Sequence, residues 1–585
     1  MYSAPGFIGR IATAAKATAV ILCLSVSVRA SAAGPTAGSS ENGTVTGASV
    51  TSARAMVVTA DSIASAVGNQ VLLDGGNAVD AAVAVGFALA VTYPRAGNIG
   101  GGGFMLVRLA DGTEAFIDYR ETAPGRADSG MFLDANGKVV PDLSTVGHRA
   151  VGVPGTVAGL RFAHEAYGTM PWERLLTPAI ALARDGFSVP PSLERSLTKA
   201  RTLLSRFEES RRIFIAPDFR RGDRMLQSDL ARTLERIAAD WRDFYRGETA
   251  RLMVAEMERH GGLIALADLG AYKAVSREPL RLRYGDCEIV TAPLPSAGGV
   301  LLAQILGMLA RHRSADLPRQ SAPYVHLVCE AEKIAYRGRA LYLGDTDLYP
   351  SPWQEMISPK VIRELSAMIS PDSVLAIETL EGEDLLQSAR AREPVHTTHY
   401  SIVDRWGNAV ANTYTLNDSY GSGVTVEGAG FLLNNEMDDF AIAPGHANLY
   451  GLVGSEANAI EPGKRMLSSM VPTIVLRDGR PYMVLGTPGG STIPTSILQV
   501  ILNVVDYGMA VEEAVAARRF HEQYLPDRIF IENRALAPDV IDALIEMGHK
   551  IEIREPIGDV QAIMIERGKL TGACDPRGSG RAVGH

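Results

Sequence analysis

Cysteine is scarce in this chain, and no two cysteines are closely spaced. The 585 residues hold four: Cys23, Cys287, Cys329 and Cys574. No Cys-x-x-Cys occurs, which argues against a zinc ribbon or a dithiol redox site. Cys23 lies in an N-terminal apolar run, and without that run three remain. An odd number rules out a full disulfide framework. No apolar run is long enough for a transmembrane helix. Basic tracts are missing and the net charge is −9, which argues against a nucleic-acid partner. The chain also lacks a Gly-x-Ser-x-Gly elbow, a Walker A loop and a His-Glu-x-x-His helix. His164-Glu165 and His521-Glu522 miss the second histidine. The run Gly100 to Gly103 is followed by Phe104-Met105-Leu106-Val107, a strand pattern, where a dinucleotide loop needs a helix. Those glycines read as a place of close backbone approach.

The composition that remains, 46% apolar and 21% charged, is that of an ordinary globular protein with a sizeable core. Arg10 and Lys16 precede the apolar residues 17–28, and Ala30-Ser31-Ala32 offers a small-x-small cleavage site. Residues 1–32 therefore read as a signal peptide, and the expected location is periplasmic or secreted. Residues 33–54, rich in Ser, Gly, Ala and Thr, read as a disordered tail. Four hairpins follow from glycine-containing turns between apolar runs: 107–119, 400–416, 473–486 and 563–573. Helical patterns cover 155–167, 172–185, 299–312, 322–343, 495–507, 511–518 and 538–547. Another, over 78–91, is capped by Asn77 or Gly76. The class is α+β, with sheets covered by helices rather than a doubly wound parallel sheet.

One stretch carries chemistry. Thr397-Thr398-His399-Tyr400 heads a strand-like run, directly after a charged connector over 371–396. A mid-chain threonine hydroxyl is a poor nucleophile. Cut just before Thr397, the chain gains an α-amine that titrates near neutral pH and can serve as the base. Four further clusters suit an amino-acid-like ligand. Arg120, in Asp118-Tyr119-Arg120-Glu121, could clamp a carboxylate. The acidic patch Asn434-Asn435-Glu436-Met437-Asp438-Asp439 could hold an ammonium group. Ser468 and Ser469 could hydrogen-bond a carboxylate, and the amides of Gly489 and Gly490 could face one oxygen, as an oxyanion hole requires.

Together these segments resemble the γ-glutamyltranspeptidases of the N-terminal-nucleophile hydrolase superfamily. The likeness rests on 97–105, 118–121, 153–155, 397–401, 413–417, 433–440, 464–470 and 489–491, and spans about residues 54–580. It implies a four-layer αββα sandwich, with two stacked antiparallel sheets covered by helices. It further implies self-cleavage between His396 and Thr397, giving a large subunit (55–396) and a small one (397–585) that form one intertwined heterodimer. Thr397 would attack the γ-glutamyl amide of glutathione and related compounds, then pass the acyl group to water or to an amino acid or dipeptide. Thr415 would orient the nucleophile, and Gly489 and Gly490 would form the oxyanion hole. Arg120, Ser468 and Ser469 would bind the α-carboxylate; Asn417, Glu436 and Asp439 would bind the α-ammonium. The stretch 444–454, with Tyr450, resembles the lid of lidded members, which favours small substrates over long polymers. His399 would support the site rather than act as base. No metal or cofactor is implied.

Three rival readings stay open at this stage. A cephalosporin or glutaryl acylase would share Thr397 but need less of the Glu436/Asp439 patch. An inactive, uncleaved binding protein would not need the full set of catalytic residues. A capsule-polymer depolymerase fits poorly with a lid.

Overall fold

A computed structural model describes residues 49–376, 397–443, 445–554 and 556–585. The expected signal peptide, most of the expected tail, the connector from 377 and His396 lie outside the described residues. Fourteen strands build two large sheets. In chain order they are β1 (Ser49–Ser52), β2 (Met56–Thr59), β3 (Gly102–Arg108), β4 (Glu114–Tyr119), β5 (Val275–Arg277), β6 (Leu280–Tyr284) and β7 (Cys287–Thr291). After these come β8 (Thr397–Val403), β9 (Ala409–Thr415), β10 (Thr473–Arg477), β11 (Arg480–Gly486), β12 (Gln561–Glu566), β13 (Lys569–Cys574) and β14 (Arg581–Gly584). One sheet runs β1-β13-β12-β11-β10-β7-β6 and the other β14-β2-β8-β9-β3-β4-β5. All pairings within these two sheets are antiparallel. The expected α+β class and the pair of antiparallel sheets are what the chain adopts.

Period-two alternation sets the layers. Met56, Val58, Phe104 and Leu106 belong to the core between the sheets, with Ile474, Val484 and Ile563. Their neighbours Val57, Met105, Val107, Tyr400 and Ile402 pack on the other face against helices. One of these helices, α1 (Ala78–Thr92), is buried at every position. Its start is fixed by a capping box: the Asn77 side chain accepts from the Val79 and Asp80 amides, and Asp80 accepts from the Asn77 amide. The hydroxyls of Tyr400 and Tyr414 donate to the carbonyls of Ala82 and Gly86 in that helix, so the outer face of β8 and β9 is bonded as well as packed.

All four expected hairpins form, as β3–β4, β8–β9, β10–β11 and β12–β13. The helix expected over 495–507 begins two residues earlier, at Ile493, with a proline in its first turn. One expectation needs correction. The tail does not run to residue 54, because Ser49–Ser52 forms an edge strand paired with β13, and the Arg54 amide donates to the His585 carbonyl. Composition marks such a segment as unstructured; the paired strand edge supplies the order.

Candidate active site

Thr397 is the first residue of β8 and is 3% exposed. Strand alternation turns Thr397, His399 and Ser401 to one face, toward the opposing sheet. There the Ser401 hydroxyl donates to the carbonyls of Val484 and Gln561. Register places Thr397 directly opposite Thr415, the last residue of β9. The Thr397 hydroxyl donates to Thr415 Oγ1 at 3.3 Å, and that same oxygen accepts from the Asn417 amide at 2.9 Å. The glycine run explains how β9 is held. A Cβ on Gly101 would lie 2.0 Å from the Thr415 carbonyl oxygen, so only glycine allows the approach. Asn98 fastens this turn, donating to the Thr415 carbonyl and accepting from the Gly101 amide, both at 2.9 Å.

His399 does not touch Thr397. Its ring nitrogens bond to Thr413 Oγ1 at 2.7 Å and Ser401 Oγ at 3.0 Å. Burial pushes its pKa down to about 3, so the ring is neutral at ordinary pH.

Beside Thr397 a small cavity of about 20 Å³ is lined by Arg120, Asn417, Asp439, Tyr450, Ser468, Ser469 and Gly490. That is room for one water and far less than a glutamyl group needs. The guanidinium of Arg120 is already engaged: Nη1 lies 2.6 Å from Glu436 and Nη2 2.5 Å from Asp439. Glu121 stands 3.6 Å away. Burial raises the Glu121 carboxyl to about 8, against the opposing pull of Arg120, and holds Glu436 well above the usual carboxylate range. Burial thus favours the protonated forms of Glu121 and Glu436 beside the one Arg120 cation. Such a set can exchange its internal partners for a zwitterion.

Gly489 and Gly490 lie at φ +142° and +54°, conformations that glycine adopts freely, at the turn into the helix Ile493–Val505. The Tyr450 ring covers Gly490: a Cβ there would lie 2.3 Å from the ring. The Tyr450 hydroxyl donates to the Asn417 carbonyl at 2.8 Å. Asn417 itself sits at φ +76°. The covering segment is pinned further by Asn448 donating to Asp439, the Leu449 amide donating to Asp438, and Gln523 donating to the Tyr450 carbonyl.

The model of the γ-glutamyltranspeptidase family matches residues 64–585. The chain belongs to that family. It is 49% identical to the glutathione hydrolase proenzyme of Pseudomonas aeruginosa, over 90% of this chain and 93% of that one. It is 45% identical to the glutathione hydrolase proenzyme of Escherichia coli, over 89% and 90%. Among solved structures, the cephalosporin acylase of Bacillus halodurans is similar with a TM-score of 0.78 and 25% identity, covering 92% of this chain and 97% of that one.

For a γ-glutamyltranspeptidase, the residues singled out in the sequence are brought together as follows. Thr397, Arg120, Asn417, Asp439, Tyr450, Ser468, Ser469 and Gly490 line one cavity. Thr415 and Glu436 contact its lining, and Gly489 adjoins Gly490. Several residues of the site were not singled out. Gln523, Asn448 and Asn98 brace it through hydrogen bonds to the Tyr450 carbonyl, Asp439 and the Thr415 carbonyl; Asn448 and Asn98 lie inside the stretches 444–454 and 97–105, but nothing there assigns them a role. Arg339, buried in the helix Ala322–Tyr342, acts electrostatically on Asp439 and Arg120. The helix also carries Glu330, Glu332, Lys333 and Arg337, so nothing local set Arg339 apart.

Proposed function

We propose that this γ-glutamyltranspeptidase matures by cutting itself before Thr397 and then uses that threonine to transfer or hydrolyse γ-glutamyl groups. In maturation the Thr397 hydroxyl attacks the His396 carbonyl. The C–N bond breaks, an ester forms, and water resolves it, freeing the α-amine of a small subunit 397–585. In turnover that amine takes the hydroxyl proton as Thr397 Oγ1 attacks the γ-carbonyl of glutathione or a related amide. The amides of Gly489 and Gly490 stabilise the oxyanion, a contact type worth on the order of 3–4 kcal/mol. The proton passes to the leaving amine, and the γ-glutamyl ester is resolved by water or by an amino acid or dipeptide. Arg120, Ser468 and Ser469 take the α-carboxylate; Asn417, Glu436 and Asp439 take the α-ammonium.

The observation that carries this reading is the pairing of the Thr397 and Thr415 hydroxyls at 3.3 Å, in the same small cavity as Arg120 and Asp439. The cavity as it stands admits no glutamyl group. Productive binding therefore requires Arg120 to release an acid and the Tyr450 segment to lift, so that 445–454, the described part of the expected lid, opens over the site. Export to the periplasm or beyond agrees with the N-terminal pattern, and among the described residues no helix is long and apolar enough to cross a membrane.

The fold likeness to a cephalosporin acylase favours one second reading, an acylase that needs no α-ammonium. One assay separates the two: chromophore release from a γ-glutamyl anilide and from the matching glutaryl anilide, with and without a dipeptide acceptor. Preference for the γ-glutamyl compound, acceleration by the acceptor and loss in Thr397→Ala are expected. Preference for the glutaryl compound would transfer the assignment to the acylase.

A further inference from the structure

A cluster with no part in this chemistry lies in the N-terminal half of the chain. The helix Glu248–His260 carries Glu256 and His260 four residues apart, hence on one face. His148 reaches them from the short turn His148–Ala150. His148 Nε2 lies 2.8 Å from Glu256 Oε1, and His260 Nε2 lies 3.6 Å from the same oxygen. One ligand atom from each residue falls within 4.8 Å of the other two. The imidazoles stack with centroids 4.6 Å apart. Arg259 approaches the other carboxylate oxygen of Glu256, at 3.7 Å, and leaves Oε1 to the histidines. His148 and Glu256 are buried, with Phe207 edge-on to His148, while His260 is half-exposed and opens the cluster to solvent.

We propose that His148, Glu256 and His260 form a binding site for a divalent transition-metal ion of the zinc class. Two imidazole nitrogens and one carboxylate oxygen are a donor set that borderline metals select, whereas calcium and magnesium take oxygen alone. Tetrahedral bonds of about 2.0–2.1 Å place donors roughly 3.4 Å apart. The His260–Glu256 separation, 3.6 Å, is already near that value; the His148–Glu256 hydrogen bond, 2.8 Å, opens slightly to admit the ion, and the third separation, within 4.8 Å, is set by turning half-exposed His260. The open side leaves a fourth position for water.

The site is structural, and its neighbours say what it would stabilise. The Ser144 hydroxyl donates to Asp438 at 2.7 Å, the Asn435 side chain donates through Nδ2 to the Thr145 carbonyl at 2.7 Å, and the Gly147 backbone amide donates to the Ser422 carbonyl. All three come from the four residues before His148; the first two hold the turn Glu436–Asp439 and its N-cap residue Asn435, and the third holds the loop at Ser422. A metal on His148 would fix the segment that carries them.

The test uses untagged full-length protein stripped with a chelator and titrated with cobalt(II), followed by visible absorption and zinc competition. One equivalent with the bands of a four-coordinate site is expected, lost in His260→Ala and in Glu256→Gln. Zinc should raise the Tm of the unchanged protein by a few degrees and leave His260→Ala unmoved. Because His260 is half-exposed, the metal-free His260→Ala protein should melt with the unchanged one and keep its anilide-hydrolysis kcat within twofold, so it decides the matter even if Glu256→Gln fails to fold. Absence of cobalt binding, or equal stoichiometry in His260→Ala, would overturn the proposal.

Discussion

Replacing Thr415 by valine keeps the shape of the side chain and removes its hydroxyl. Two bonds disappear with it: the acceptor for the Thr397 hydroxyl at 3.3 Å and the acceptor for the Asn417 amide at 2.9 Å. The two losses show in different measurements. An orienting hydrogen bond of ordinary net strength, about 0.5–1.5 kcal/mol, corresponds to roughly a 2- to 13-fold fall in kcat. The Asn417 amide is buried beside a left-handed backbone, and leaving it without an acceptor costs about 1–3 kcal/mol of stability. The assay is γ-glutamyl anilide hydrolysis normalised to the fraction of chain cut before Thr397, with thermal melting in parallel. A variant that melts earlier but keeps kcat within twofold would refute the orienting role. A loss beyond about a thousandfold would refute it from the other side, because it would mean that Thr415 takes part in the chemistry itself.

Tyr450→Phe removes the hydroxyl that holds the covering segment down on the Asn417 carbonyl, so the segment lifts more readily and KM for the γ-glutamyl anilide should fall several-fold with a smaller change in kcat, read from initial rates. Glu121→Gln mimics the protonated acid. In the unchanged protein the folded value of about 8 lies above the ordinary 4.5, so this group's contribution to stability is lost as pH rises through 8. That loss falls between pH 4.5 and 8, and melting curves should show it shrinking in the variant. Burial depresses His399, His521 and His549 to about 3 from 6.5. Their contribution is full above pH 6.5 and drains away as pH falls toward 3, so the Tm should decline across that window.

Much of the frame was legible because its signals are local. Each of the four hairpins has a glycine-containing turn between apolar runs, and the Asn77 cap sits in plain view before an apolar helix. What escaped depends on distance along the chain. Arg120 and Asp439 are 319 residues apart, and their ion pair could be expected only through charge logic. That logic put Arg120 on a substrate carboxylate and the acids on an ammonium; the structure adds that, without substrate, they satisfy one another. Ser49–Ser52 looked unstructured because its partner strand lies near the other end of the chain. The helices Ser228–Ala239 and Glu248–His260 went unmarked although the first is strongly amphipathic, since their charged faces resemble loop composition. The metal-type cluster was invisible for the same reason as the ion pair: His148 meets Glu256 only after folding.

In the proposed mechanism Thr397 is both the new N-terminus and the acylated residue. Rapid quenching of the protein during γ-glutamyl anilide turnover, followed by mass analysis of its fragments, tests this directly. The prediction is a chain cut before Thr397, with a γ-glutamyl mass increment on the peptide that begins there. An uncut chain that still turns over substrate, or an increment on any other peptide, would contradict it.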